Sequence, residues 1–145
     1  MKFNGRIVRN AAVYGAFGAA LVAVVPVGAA SGSAAAPAAR PVPVRMTEWA
    51  IVPVPAVAPA GRIAFRVRNA GDDLHEMVVL RTDRRADALG TGSTVPERGA
   101  VGEIERVPAG TVRTLTLRLK RGHYVLICNL RNHYRRGMRA GFDVR

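Results

Sequence analysis

Between Arg62 and Asn69 the chain alternates almost without fault, with Ile63, Phe65 and Val67 on one face and Arg62, Ala64, Arg66 and Arg68 on the other. A period of two is the signature of a half-buried strand, because successive side chains leave a pleated backbone in opposite directions. Thr111–Lys120 repeats the pattern through Val112, Leu115, Leu117 and Leu119, with a shift of phase at Thr114. Further short strands are predicted over Val44–Val52, Glu76–Arg81, Ile104–Val107, His123–Cys128 and Arg139–Val144. Turn compositions separate them: Asn69-Ala70-Gly71-Asp72-Asp73, Pro108-Ala109-Gly110 and Arg121-Gly122, with Pro53, Pro55 and Pro59 ending the first strand. Thr82–Ala100 is the least regular stretch; Asp83–Leu89 has room for a helical turn, which Gly90, Gly92, Pro96 and Gly99 keep short. Nothing after the first 30 residues sustains a helical period. An all-β domain follows, a small antiparallel sandwich or barrel.

The 145 residues hold one such domain and little else. Residues 1–30 read as an export segment. Lys2, Arg6 and Arg9 form a charged start, Ala11–Val25 an apolar run, and Gly28–Ala34 a series of small residues that signal peptidase accepts. The alternative is an uncleaved N-terminal membrane anchor. Dilution by Ala and Gly weighs against it, since a spanning helix needs about 20 strongly apolar residues. No cysteine lies near the cleavage sites, so a lipoprotein anchor is excluded. Residues 31–43 are Ala/Pro-rich and read as a disordered linker, leaving 44–145 as the folded domain. The expected location is periplasmic or extracellular.

Cleavage would lower the basic residues from 22 to 19 against 10 acidic ones, a net charge of +9. Such a surface attracts anionic partners, an acidic redox protein or an anionic membrane surface; an Arg- and Ala-rich genome accounts for the composition equally well. In an exported chain the charge does not point to nucleic acid. The single cysteine cannot close an internal disulfide, and a lone thiol in an oxidising compartment calls for a task such as metal ligation.

Cys128 ends an apolar strand, His133 follows five residues on and Met138 five beyond that, with His75 arriving from a distant turn. A thiolate, two imidazoles and a thioether are the donors of a mononuclear type 1 copper site. Soft sulfur suits Cu(I), and imidazole suits both oxidation states. Gly137 eases the bend before Met138. Met46 and Met77 lie on strands and read as packing residues. His123 lies an odd number of residues before Cys128, so strand alternation sends it to the opposite face. Trp49 and Tyr124 read as core or half-buried aromatics.

From Val44 to Arg145 the chain resembles the cupredoxins. The resemblance rests on Asn69-Ala70-Gly71 before His75, on Gly122-x-Tyr124-x3-Cys128, and on the spacing Cys128-x4-His133-x4-Met138, which is similar to that of phytocyanins and sulfocyanin-like proteins. It implies a Greek-key β-sandwich, one copper ion held by His75, Cys128, His133 and Met138, and His133 as the ligand nearest solvent. Leu130 and Tyr134 would form an apolar contact patch beside it, ringed by Arg131, Arg135, Arg136 and Arg139. Two positions depart from the pattern. Arg131-Asn132 replaces a Pro-Gly pair, which implies a looser ligand loop. Glu76 replaces an Asn that pins the cysteine loop; its carboxylate would lower the potential or pair with an Arg.

The function expected is extracytoplasmic electron transfer between Cu(I) and Cu(II) by a monomer; copper handling without electron shuttling is the alternative. Oxidase or reductase chemistry needs extra histidines, one of them beside the type 1 cysteine. This chain has three His in all, and Ile127 and Asn129 flank Cys128. No enzyme activity is expected.

Overall fold

The structure is a computed structural model that describes residues 38–145. The expected export segment lies outside these residues. Among the described residues, nine strands form two packed sheets. Strands β1 (Arg40–Thr47), β2 (Ala50–Pro53), β4 (Gly61–Asn69) and β7 (Val112–Leu119) make one, in the order β2-β1-β4-β7. Strands β3 (Val57–Ala58), β5 (His75–Arg81), β6 (Ala100–Val107), β8 (Gly122–Ile127) and β9 (Arg139–Val144) make the other, in the order β3-β9-β8-β5-β6. The chain crosses between sheets from β2 to β3, from β3 to β4, from β4 to β5, from β6 to β7 and from β7 to β8. The expected sandwich is therefore present. Most pairings are antiparallel, but β1 with β4 and β3 with β9 run parallel.

The alternation read in β4 holds: Ile63, Phe65 and Val67 are fully buried, and Arg62, Arg66 and Arg68 are exposed. From the facing sheet come Met77, Val79, Leu126 and Phe142, with Phe65 and Phe142 meeting edge to face at 5.1 Å. Such an aromatic pair contributes about 0.5–1.5 kcal/mol beyond the area it buries. Met46 and Met77 are core residues, as expected.

Two differences from the sequence reading have physical causes. The first strand starts at Arg40, inside the expected linker, and Val42 is buried. Pro41 and Pro43 are tolerated there because β2 pairs only with Val44–Thr47, which leaves this part of β1 an edge that needs no N–H. The expected strand 44–52 is also broken, into β1 and β2, by a reversal at Glu48 and Trp49. No Gly or Pro marks that turn. It proves central to the site.

The irregular stretch after β5 forms one short 3-10 turn (Ala86–Ala88) and covers the outer face of the second sheet. Leu89 and Val95 pack there against Val78, Leu80, Val125, Ile127 and Tyr134. Strands β5 and β8 are consequently buried on both faces, which explains their unbroken apolar runs.

Candidate metal centre

Three elements converge at one end of the sandwich. His75 is the first residue of β5 and is wholly buried, so it is no exposed turn histidine. The buried Asn69 aims it. Asn69 Nδ2 donates to the carbonyls of Asp73 and Val107 at 2.7 and 2.8 Å, and its Oδ1 accepts from the N–H of Gly71 at 3.0 Å. This tightens the turn that delivers His75. A register shift between His75 and Met77, a bulge of the kind that re-aims side chains, follows at once.

Cys128 lies one residue beyond β8 and is fully buried; His133 opens a single helical turn, His133–Arg136. Nδ1 of His133 lies 3.4 Å from Cys128 Sγ and 3.3 Å from Nδ1 of His75. One donor atom from each residue falls within 4.8 Å of the other two. Three ligands at 120° around an ion, each about 2.0–2.3 Å from it, would stand about 3.5–3.8 Å apart. The donor set therefore fits a small transition-metal ion with little movement. Met138 is fully buried, and its backbone ties the other two together: its carbonyl accepts from Cys128 N–H at 3.0 Å and its N–H donates to the His133 carbonyl at 3.1 Å. Gly137 turns the chain between them at φ 124°, where a Cβ would come within 2.9 Å of the Trp49 carbonyl oxygen.

Burial pushes the Cys128 thiol up to about 11, against the pull of the Glu76 and Leu130 N–H groups. Burial also lowers the pKa of His133, and the facing His75 adds to this. A neutral imidazole is the form that ligates metal.

Both departures from the pattern resolve. Glu76 pins the cysteine loop after all: its Oε1 accepts from Asn129 N–H at 2.9 Å, and its own N–H points at Cys128 Sγ, 3.5 Å away. It forms no ion pair with an Arg among the described residues. Desolvation raises its pKa. The loop at Arg131-Asn132 is not left loose. Asn132 sits in the left-handed region at φ 68° and donates to Ser93 O at 2.6 Å, and the Asn129 side chain bonds Val95 N–H and C=O at 2.8 and 2.9 Å.

The expected contact patch needs correction. Tyr134 is core: its hydroxyl accepts from Leu89 N–H at 3.0 Å and donates to the Ala86 carbonyl at 2.7 Å. Leu130 is half-buried. Arg139 bonds the Tyr134 carbonyl at 2.6 Å, and Arg136 lies over the Trp49 ring at 4.3 Å. Arg131 and Arg135 are exposed. His123 lies away from the cluster, paired with Asp143 at 2.8 Å.

Two contributors were missed, Glu48 and Trp49 at the β1–β2 reversal. Glu48 Oε1 lies 2.9 Å from His75 Nε2 and accepts the N–H groups of Asp73 and Asp72 at 2.9 and 3.1 Å. These bonds, that from Asp73 foremost, hold its carboxyl at about 2. The Trp49 ring meets that of His133 edge to face at 4.9 Å.

A two-sheet sandwich with a thiol, two imidazoles and a buried methionine gathered at one end is the architecture of the cupredoxins, and comparison with solved structures shows that fold. The chain is similar to reduced auracyanin from Roseiflexus castenholzii (19% identity, TM-score 0.57, 75% of this chain and 99% of that one). It is similar also to an azurin from Methylomonas sp. strain J (11%, 0.55, 74% and 99%) and to rusticyanin from Thiobacillus ferrooxidans (15%, 0.52, 74% and 79%). The sequence matches no protein-family model and no curated protein.

Proposed function

We propose that the protein is a blue copper electron carrier. The observation that carries this is the convergence of Cys128, His133 and His75 donor atoms within 4.8 Å, with Met138 fully buried beside them. Zinc would take the two imidazoles and the thiolate but gains little from a thioether; copper is the ion for which this combination of soft and borderline donors is suited. Auracyanin A from Chloroflexus aurantiacus, similar in fold at 16% identity and a TM-score of 0.52, is a "blue" copper protein. Copper held by His75, Cys128, His133 and Met138 would supply a one-electron couple.

The chain's own residues set the conditions for that couple. Cys128 and His75 are shielded from water, and hydrogen bonds from Glu76, Asn129 and Asn132 hold the loops, so the donors keep their places in both oxidation states. His133 is only half-buried and forms the edge nearest solvent. Arg131 and Arg135 stand exposed on its loop, and they support a docking surface for an acidic redox partner. The composition of the first 30 residues supports export to the periplasm or beyond. Asn129 beside the cysteine, and His123 held by Asp143, support a single centre rather than an enzyme.

Copper titration followed by voltammetry tests the proposal. One ion per chain and a reversible one-electron wave are expected; one ion bound without a reversible wave would assign the protein to copper handling instead.

A further inference from the structure

We infer that Glu48 is a positioning residue that turns His75 toward the metal and weights the site toward the divalent ion. The inference rests on the copper reading above, but its geometry is independent of it. Glu48 Oε1 accepts the backbone N–H groups of Asp72 and Asp73 at 3.1 and 2.9 Å, so that oxygen is an acceptor. The third group on it, His75 Nε2 at 2.9 Å, must then be the donor. That places the imidazole proton on Nε2 and leaves the Nδ1 lone pair facing His133 Nδ1 and the Cys128 thiol.

The seat of this carboxylate is built. A Cβ at Gly71 would collide with the Glu48 carboxylate, so the 71–73 turn is shaped around it. The contact is direct at 2.9 Å, with His75 wholly buried and the Glu48 side chain a quarter exposed. A carboxylate on the far nitrogen of a metal-bound imidazole fixes the ring's tautomer and makes the ligand more basic. Losing such a partner costs about 10–100-fold in metal affinity. The extra negative charge favours the more highly charged ion, so the loss falls more heavily on Cu(II) than on Cu(I).

The test uses the full chain as wild type, E48Q, E48A and G71A. In metal-free protein, long-range 1H–15N NMR reads the His75 tautomer: wild type carries its proton on Nε2, and E48A shows a mixture. In copper-loaded protein, E48Q and E48A raise the reduction potential by at least the tenfold change in Cu(I)/Cu(II) affinity ratio that corresponds to about 59 mV for one electron. G71A, which displaces the carboxylate without removing its charge, moves the potential in the same direction. E48Q keeps an oxygen for Asp72 and Asp73, and circular dichroism confirms that it is folded. An E48A tautomer or an E48Q potential equal to wild type overturns the inference. If wild type takes up no copper, the copper reading falls and the tautomer of metal-free E48A alone decides the role of Glu48.

Discussion

The backbone N–H of Glu76 points at the sulfur of Cys128 from 3.5 Å, while the Glu76 carboxylate holds the N–H of the next residue, Asn129, at 2.9 Å. One residue thus reaches the cysteine loop twice, once through its backbone and once through its side chain. Glu76→Ala leaves the half-buried Asn129 N–H without a partner, at a cost of about 1–3 kcal/mol. Glu76→Gln keeps an acceptor oxygen there and loses less. Urea denaturation of the two variants beside wild type checks the order, which is wild type, Gln, then Ala.

Tyr134→Phe removes the hydroxyl that bonds Leu89 N–H and the Ala86 carbonyl. Both groups belong to the irregular segment that covers the second sheet, and the hydroxyl ties it down, so stability falls by about 1–3 kcal/mol. For a domain of this size that is a drop of about 4–8 °C in Tm per kcal/mol. The metal donors are untouched, so the colour of the copper-loaded protein is retained. Calorimetry and a visible spectrum of one sample check both.

Much of this was legible in the sequence, and what was not has a common cause. The alternating β4, the core methionines Met46 and Met77, the converging Cys128 and His133 and the outward His123 all follow from local period and spacing. Glu48 and Trp49 do not. They occupy a reversal without Gly or Pro inside an apparently continuous strand, and their histidine partners are far away in sequence. Tyr134 was placed on the surface for a related reason. The segment that buries it has no periodicity from which its packing could be read.

The Cys128 thiol, raised by burial from 9.0 to about 11, stays protonated in the metal-free protein at neutral pH. At pH 8 its thiolate fraction is lower by about 100-fold than that of an ordinary cysteine, and alkylation slows at least in proportion because the thiolate is the nucleophile. A raised folded-state pKa favours the fold below pH 9. That contribution is lost as pH rises through 11, so metal-free protein weakens over this window. Iodoacetamide kinetics on metal-free protein, with and without denaturant, check the first claim. A urea midpoint series from pH 8 to 11 checks the second.

Gly137→Ala places a Cβ within 2.9 Å of the Trp49 carbonyl oxygen and strains a backbone at φ 124°. The strain is about 1–3 kcal/mol and falls on the bend joining His133 to Met138. A lower Tm and an altered visible spectrum are expected together, whereas Gly61→Ala, at φ 136° with open space around it and at the opposite end of β4 from Asn69, lowers Tm alone.

Arg131 and Arg135 are exposed on the ligand loop. Reversing both to Glu slows oxidation of the reduced protein by ferricyanide, an anion, and flattens the dependence of that rate on salt. Stopped-flow rates from 10 to 500 mM salt check this. Equal salt slopes for variant and wild type would remove the arginines from the proposed docking surface.

The visible spectrum of the purified, copper-loaded, oxidised protein, recorded beside Cys128→Ser, tests the central claim most directly. A type 1 site gives wild type an intense blue charge-transfer band, because a thiolate is bound to Cu(II), and Cys128→Ser loses that band. Colourless wild type, or a blue band that survives in Cys128→Ser, contradicts the assignment.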